Sequence, residues 1–157
     1  MKLIIGLGNP DKEYLNNRHN VGHLLVDRLL TTDYSPEMRV EKTDVYMNES
    51  GEFVARQKNF YKVSLDDLYV VYDDLDIPLG SYKISKGKSP RVHNGIISVI
   101  EKLGSEDFWH VRIGVDNRSG DRTLTGKDYV LQNFTKEERG VLEEVIGRVV
   151  EELLHNR

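Results

Sequence analysis

The apolar positions along the chain fall into two rhythms. Some are unbroken runs. Residues 2–7 (Lys-Leu-Ile-Ile-Gly-Leu) end at Gly8-Asn9-Pro10, the pattern of a short buried strand closed by a turn. Residues 68–72 (Leu-Tyr-Val-Val-Tyr) carry the strongest strand signal, β-branched and aromatic, with turn-forming acids behind them. Residues 81–85, after Pro78-Leu79-Gly80, and residues 109–115 predict two further strands, and residues 38–44 a weaker one. Other apolar positions recur at helical spacing. Val21, Leu24, Leu25 and Leu29 predict a helix over 20–32, and residues 48–61 place Phe53, Gln57 and Phe60 on one face of another. A third helix covers 94–103 and stops at Gly104. Thr135-Lys-Glu-Glu138 is a capping box, in which threonine oxygen and glutamate carboxylate each take a free backbone N–H. The helix behind it runs to about His155, with Val141, Leu142, Val145, Ile146, Val149, Val150 and Leu153 as its apolar stripe. Residues 116–122 read as a polar loop.

Strands alternate with helices from start to end, with no internal repeat, low-complexity segment or linker. That order predicts one α/β domain over 1–157, a three-layer sandwich whose central twisted sheet is mixed but mostly parallel and flanked by helices. In such sheets, sites form beyond the carboxyl ends of the strands. The segments to inspect are therefore 8–19, 73–76 and 116 onward.

Composition narrows the class. The 157 residues are 38% hydrophobic and 31% charged, a globular balance long enough to bury a sizeable core. No apolar run approaches the roughly 20 residues of a membrane helix, and the first strand does not resemble a signal peptide. The chain has no cysteine, which removes disulfides, thiolate metal sites and a thiol nucleophile together and fits a cytoplasmic protein. Net charge is −4, so any contact with nucleic acid must be local. The charge is uneven: residues 81–94 hold four cations (Lys83, Lys86, Lys88, Arg91) and no anion, whereas residues 136–157 hold six glutamates against four cations.

Four polar clusters could carry chemistry: residues 9–19, Met47-Asn48, residues 73–76, and His93-Asn94. With neither a Gly-x-Ser-x-Gly elbow nor a cysteine, a covalent serine or thiol route has no support. Attack by water with a histidine as base remains. A carboxylate bonded to the other ring nitrogen would fix the tautomer and stabilise the imidazolium. Asp73, at the end of a buried strand, is placed for that, and asparagines supply neutral donors for a carbonyl or oxyanion. Taken singly, each cluster also has a plain structural meaning. Asn9-Pro10 can be a turn, Asn20 a helix cap, the aspartates turn acids, His19 a terminal residue, His93 a satisfied loop histidine, and the basic run a solvated loop.

In combination they form a pattern. Gly6-Leu-Gly-Asn-Pro10, Tyr14 and Arg18-His-Asn-x-Gly22 resemble the opening signature of bacterial peptidyl-tRNA hydrolases. Tyr46-Met-Asn-x-Ser-Gly51, Asp73-Asp-Leu-Asp-x-Pro78-x-Gly80, His93-Asn-Gly95 and the stretch from Phe108 to Gly114 with Arg112 resemble the family's later motifs, in order. Asp128-Tyr-Val-Leu131, Phe134 and the Glu-rich helix resemble its lid and closing helix. The resemblance implies that His19 is the base for the attacking water and Asp73 its orienting partner. It implies that Asn9 and Asn48 hold peptide carbonyls, and that Asn94 positions water or the intermediate beside His93. Met47 belongs to the same substrate region, with Tyr14 and Tyr46 lining the cleft. Arg112 and the run Lys83, Lys86, Lys88, Arg91 would hold tRNA phosphates without reading sequence. The implied partner is peptidyl-tRNA, with no cofactor, no metal and no membrane, and a monomer as the working form.

The chain departs from the family at residues 87–92, Gly-Lys-Ser-Pro-Arg-Val, where a glycine-rich stretch is usual. Pro90 and Val92 restrict backbone angles that glycine leaves open, so a different loop path is expected, with His93 placed accordingly. Residues 30–46 hold about one strand in place of a longer hairpin, and the closing segment after Leu154 is short. Tyr46 and Tyr72 stand where phenylalanine and histidine are more usual. Three other readings compete. One is a non-catalytic RNA-binding relative. Another is a dinucleotide-binding domain built on Gly6-x-Gly8, against which position 11 is Asp and Asn9-Pro10 breaks the turn into the helix. The third is a metallohydrolase using His19 and His23, against which position 20 is Asn and not a glutamate base.

Overall fold

The first strand, β1 (Lys2–Gly6), is buried along nearly its whole length because it pairs on both sides. In the computed structural model, which describes residues 1–90, 92–121 and 123–155, it lies between β2 (Met38–Lys42) and β3 (Leu68–Pro78), parallel to both. β5 (Trp109–Asp116) extends the sheet parallel to β3, and β4 (Tyr82–Lys86) closes the edge antiparallel to β5. The strand order is β2-β1-β3-β5-β4. The sheet is thus mixed and mostly parallel, as the alternation of elements predicts.

Two helical layers cover it. α1 (Val21–Leu30) and α5 (Lys136–His155) bury Val21, Leu25, Leu142, Val145 and Val149 against Ile4, Val71 and Val111. α2 (Ser50–Tyr61) and α3 (Asn94–Leu103) bury Phe53, Val54, Ile96 and Val99 against Leu3, Val70 and Tyr72 on the other face. Even- and odd-numbered residues of β3 divide between these two cores, the period of a strand buried on both faces. A short helix, α4 (Gly126–Val130), precedes α5.

Three elements differ from the sequence expectation. α1 begins at Val21, behind a single 3₁₀ turn over Arg18–Asn20. Asn20 does not cap α1, because its side chain is committed to the backbone of Asn9. β3 does not stop at Tyr72 but continues through the aspartates to Pro78, since Asp73 and Asp74 find partners in the interior. Phe60 is 73% exposed, so the buried stripe of α2 runs through Ser50, Gly51, Phe53 and Val54 instead. The capping box forms as read: Thr135 N–H donates to Glu138 Oε1 at 2.8 Å, and Glu138 N–H donates to Thr135 Oγ1 at 3.1 Å.

One close approach sets the site. A Cβ on Gly22 would lie 2.4 Å from Val71 O and 2.6 Å from Leu7 O. Only glycine lets the start of α1 rest on the carboxyl ends of β1 and β3. That contact brings the 3₁₀ turn carrying His19 up to the middle of β3, where Asp73 stands.

Candidate active site

Asp73 is 3% exposed at the carboxyl side of β3, where the chain order switches between β1 and β3. Two histidines converge on it. His19 Nδ1 lies 2.9 Å from Oδ2 and 3.0 Å from Oδ1, and His93 Nε2 lies 2.8 Å from Oδ1. The two imidazoles stand 4.9 Å apart between centroids.

Hydrogen-bond logic assigns the protons. His93 caps α3 by accepting Ile96 N–H at Nδ1, 3.1 Å away, so its proton sits on Nε2 and is donated to Asp73. Asp73, an acceptor when ionised, takes a second N–H from His19 Nδ1. The lone pair of His19 is then on Nε2, pointing away from the carboxylate. Burial alone would raise Asp73, but the nearby imidazoles of His19 and His93 and the hydrogen bonds they make to it hold it well below the usual carboxylate range. For His19, burial disfavours the charged ring, yet the charge of Asp73 and its hydrogen bond outweigh this, and the net shift is upward from 6.5.

Among the described residues these three side chains are also the group whose donor atoms, all within 4.8 Å of one another, could surround a metal ion. The bonding does not suit one. His93 Nε2 carries the proton that its capped Nδ1 cannot, and so offers no lone pair to a cation. The His19–His23 pairing of a metallohydrolase is not made: His23 Nε2 bonds Thr43 Oγ1 at 2.9 Å, which in turn donates to Gly8 O at 3.2 Å.

Asn9 flanks the pair. Its Oδ1 accepts Met47 N–H at 2.8 Å, while its backbone N–H and C=O exchange bonds with the Asn20 side chain, each 2.9 Å. With Oδ1 occupied, Nδ2 is the part of the Asn9 amide left to donate to another group. The Gly8-Asn9 turn is therefore stitched to Asn20 and Met47, not shaped as a dinucleotide loop. Met47 is buried, and Asn48 is exposed on the same 3₁₀ turn. Asn94 is exposed at the first position of α3, next to His93. Tyr46 is 47% exposed and donates to Asp11 Oδ2 at 2.6 Å, and Tyr14 is half-buried on the neighbouring turn.

The basic residues are less uniform than their run in sequence implies. Lys83 stands directly opposite Arg112 in the β4–β5 register. Arg112 donates to the buried carboxylate of Asp74 at 3.3 Å, and Lys86 is paired with Asp66. Lys88 is exposed, and Arg91 lies outside the described residues. The altered loop is anchored by Gly87 N–H on Phe108 O at 3.2 Å and by Ser89 Oγ on Glu106 Oε2 at 3.1 Å. His93 still reaches Asp73 behind it.

Sequence reasoning missed a buried pair beside His19. Arg18 and Glu138 are 5% and 4% exposed and lie 2.8 Å apart. Arg18 belongs to the Arg-His-Asn motif and Glu138 to the capping box, which were the only signals. Also missed was Tyr72 O–H donating to His110 Nδ1 at 2.7 Å, with His110 Nε2 on Glu106 O at 2.9 Å.

Known proteins resemble this chain along nearly its whole length. The family model for peptidyl-tRNA hydrolase matches residues 3–155. A peptidyl-tRNA hydrolase of Desulfitobacterium hafniense is 40% identical over 168 aligned residues, covering 94% of this chain and 88% of the relative. One from Geobacillus kaustophilus is 38% identical over 169 residues, covering 96% and 90%. The crystal structure of peptidyl-tRNA hydrolase from Acinetobacter baumannii matches with a TM-score of 0.82 at 25% identity, over 98% of this chain and 88% of that one. A five-stranded sheet that brings a histidine onto a buried aspartate, together with sequence similarity along nearly its whole length, shows that this chain belongs to the peptidyl-tRNA hydrolase family.

Proposed function

We propose that the chain hydrolyses the ester joining a peptide, or an N-acylated aminoacyl group, to tRNA, and that His19 is its base. The observation that carries the reading is the His19–Asp73 contact, which leaves the lone pair of His19 on Nε2, away from the carboxylate, on a partly exposed ring. In this reading Nε2 takes a proton from water as the water oxygen bonds to the ester carbonyl carbon. The carbonyl electrons move to oxygen, and the amide donors of Asn9 and Asn48 hold the peptide carbonyls on either side. Asn94 positions the water or the intermediate. As the tetrahedral species collapses, the carbon–oxygen bond to the terminal ribose breaks, and the proton on Nε2 passes to the departing ribose oxygen. The products are free tRNA and a peptide carboxylic acid, which loses its remaining proton to solvent. Asp73 stays ionised throughout and stabilises the transient imidazolium.

Tyr14, Tyr46 and Met47 would line the cleft for the peptide or the terminal adenosine, whose unpaired base suits aromatic stacking. Arg112, Lys83, Lys86, Lys88 and Arg91 would meet the tRNA backbone. Peptidyl-tRNA is the partner in this reading, and a cytoplasmic monomer working without a metal ion is the form proposed. No helix among the described residues is long and apolar enough to cross a membrane.

The test is release of N-acyl amino acid from N-acyl-aminoacyl-tRNA, with free aminoacyl-tRNA and His19→Ala as controls. Turnover of the acylated substrate alone, lost in the variant, supports the reading. Bound tRNA with no turnover would favour a non-catalytic RNA-binding relative.

A further inference from the structure

Arg18 takes no part in the chemistry above, yet among the described residues it is the one buried cation. Its guanidinium donates from Nη1 to Tyr129 O at 3.0 Å and from Nη2 to Glu138 Oε1 at 2.8 Å, and it lies over the Tyr129 ring at 3.9 Å. Glu138 is fully engaged. Oε1 also accepts Thr135 N–H at 2.8 Å, and Oε2 accepts Asn117 Nδ2 at 2.9 Å. Tyr129 donates its O–H to Val115 O at 2.7 Å and accepts Asn117 N–H at 2.9 Å. One guanidinium therefore joins α4 and the first turn of α5 to the residue before His19, and Tyr129 carries the connection on to Val115 at the end of β5.

The backbone repeats this connection. Arg18 N–H donates to Gln132 O at 3.1 Å, Phe134 N–H to Asn16 O at 3.0 Å, and Asn17 Nδ2 to Asn133 Oδ1 at 2.6 Å. Residues 16–18 and 132–134 thus run against each other as a short antiparallel contact.

Stability alone is a poor reason for such a pair. The desolvation of two buried charges offsets most of their attraction, and apolar replacements of similar volume are often as stable. Capping of α5 needs only Thr135 and Glu138. What the ion pair adds is a fixed distance between the closing segment and the turn that carries the base. We propose that Arg18 and Glu138 are positioning residues: their buried pair transmits the docking of residues 126–138 to His19 and holds its imidazole in line with Asp73. The inference rests on His19 being the base.

Glu138→Gln separates the two roles of the glutamate, because glutamine also completes a capping box but leaves Arg18 without a countercharge. Arg18→Lys is the companion variant. It keeps the charge but loses the flat two-donor fork and the plate over Tyr129. Leu153→Ala is the control. Leu153 is fully buried at the far end of α5, so truncation there loosens the helix without touching the pair. Each protein is assayed for kcat and KM on N-acyl-aminoacyl-tRNA and for thermal unfolding. Each is also examined by proton NMR for the downfield resonance of the hydrogen between His19 Nδ1 and Asp73.

Glu138→Gln and Arg18→Lys should lower kcat by about 10-fold with KM changed less than about twofold, as misplacement of a catalytic group does. The His19 resonance should shift or broaden in both. Leu153→Ala should lower the unfolding temperature at least as much and leave kcat and the resonance alone. Wild-type kcat and an unmoved resonance in Arg18→Lys or Glu138→Gln would overturn the proposal, as would an equal loss in Leu153→Ala. If instead the wild type shows no turnover, the hydrolase reading fails, and the resonance alone decides whether the pair sets the His19–Asp73 geometry.

Discussion

His93 Nε2 lies 2.8 Å from Asp73 Oδ1, while Nδ1 of the same ring accepts Ile96 N–H. His93 therefore donates to the same carboxylate that His19 contacts. His93→Asn should isolate this effect. Asparagine is a good helix cap and can still accept from Ile96, but it is too short to reach Asp73. With one donor gone, Asp73 pulls harder on His19 Nδ1–H and the imidazolium becomes easier to form. The acid limb of kcat/KM should move to higher pH by up to about one unit. A limb that stays in place or moves down would mean that His93 serves only α3.

Asp73→Asn should act in the opposite direction. Burial pushes the His19 imidazolium down, and the charge and hydrogen bond of Asp73 reverse the sign. The base works only when deprotonated, so wild-type activity should fall as pH drops through a value above 6.5. The asparagine variant keeps the burial and loses the charge. Its acid limb should fall below 6.5, with kcat reduced by roughly 10²- to 10⁴-fold. The pH profile of the variant checks both, and a limb still above 6.5 would remove Asp73 as the source of the shift.

Much of the site was legible in the sequence, but unevenly. Apolar runs and helical spacing marked β1, α3 and α5, since burial on one or both faces leaves a periodic trace. His19 and Asp73 emerged from motifs that a strand end and a helix start bring together. Arg18 did not, because a charged residue in a polar stretch looks like surface. Only the fold shows that Glu138, already accounted for as a cap, supplies its partner. The continuation of β3 through Asp73 and Asp74 was hidden for the same reason: acids read as a turn until histidines and Arg112 are found opposite them. Phe60 was placed on a buried face by period alone. The true stripe of α2 uses Ser50 and Gly51, small residues that carry no hydropathic signal but allow α3 to approach.

The basic run should divide functionally along lines the sequence does not show. Lys86 is already paired with Asp66, whereas Lys88 has no ion pair among the described residues. A free lysine that meets a phosphate releases a counterion on binding, while one held by a carboxylate contributes less. Lys88→Ala should weaken tRNA binding and reduce the slope of log K against log salt by nearly one. Lys86→Ala should change it less, and Asp66→Asn should steepen it. Binding measured across a salt series checks the order. Equal slopes for the two lysine variants would return Lys88 to the solvated surface.

His23 should set the acid sensitivity of the fold. Burial, and secondarily the charge of Lys42, push its pKa down to about 4 from 6.5, and the neutral ring is held by Thr43. Between these values the unfolded chain binds a proton that the native chain refuses, so stability falls as pH falls from 6.5 toward 4 and levels off below. The full difference is on the order of 3 kcal/mol. His19, raised in the folded state, acts with the opposite sign: its stabilisation is complete below 6.5 and is lost only as pH rises through its folded value. The lowered carboxylates of Asp73 and Glu138 enter only in the more acid carboxylate range. Among the described residues His110, also lowered by burial, contributes with the same sign as His23 in the interval from 6.5 to 4.5. His23→Gln keeps a donor for Thr43 without a titrating ring, so its unfolding temperature should decline less with acid across that interval, leaving the slope due to His110. Thermal unfolding at stepped pH measures this, and parallel curves for the variant and wild type would show that His23 titrates alike in both states.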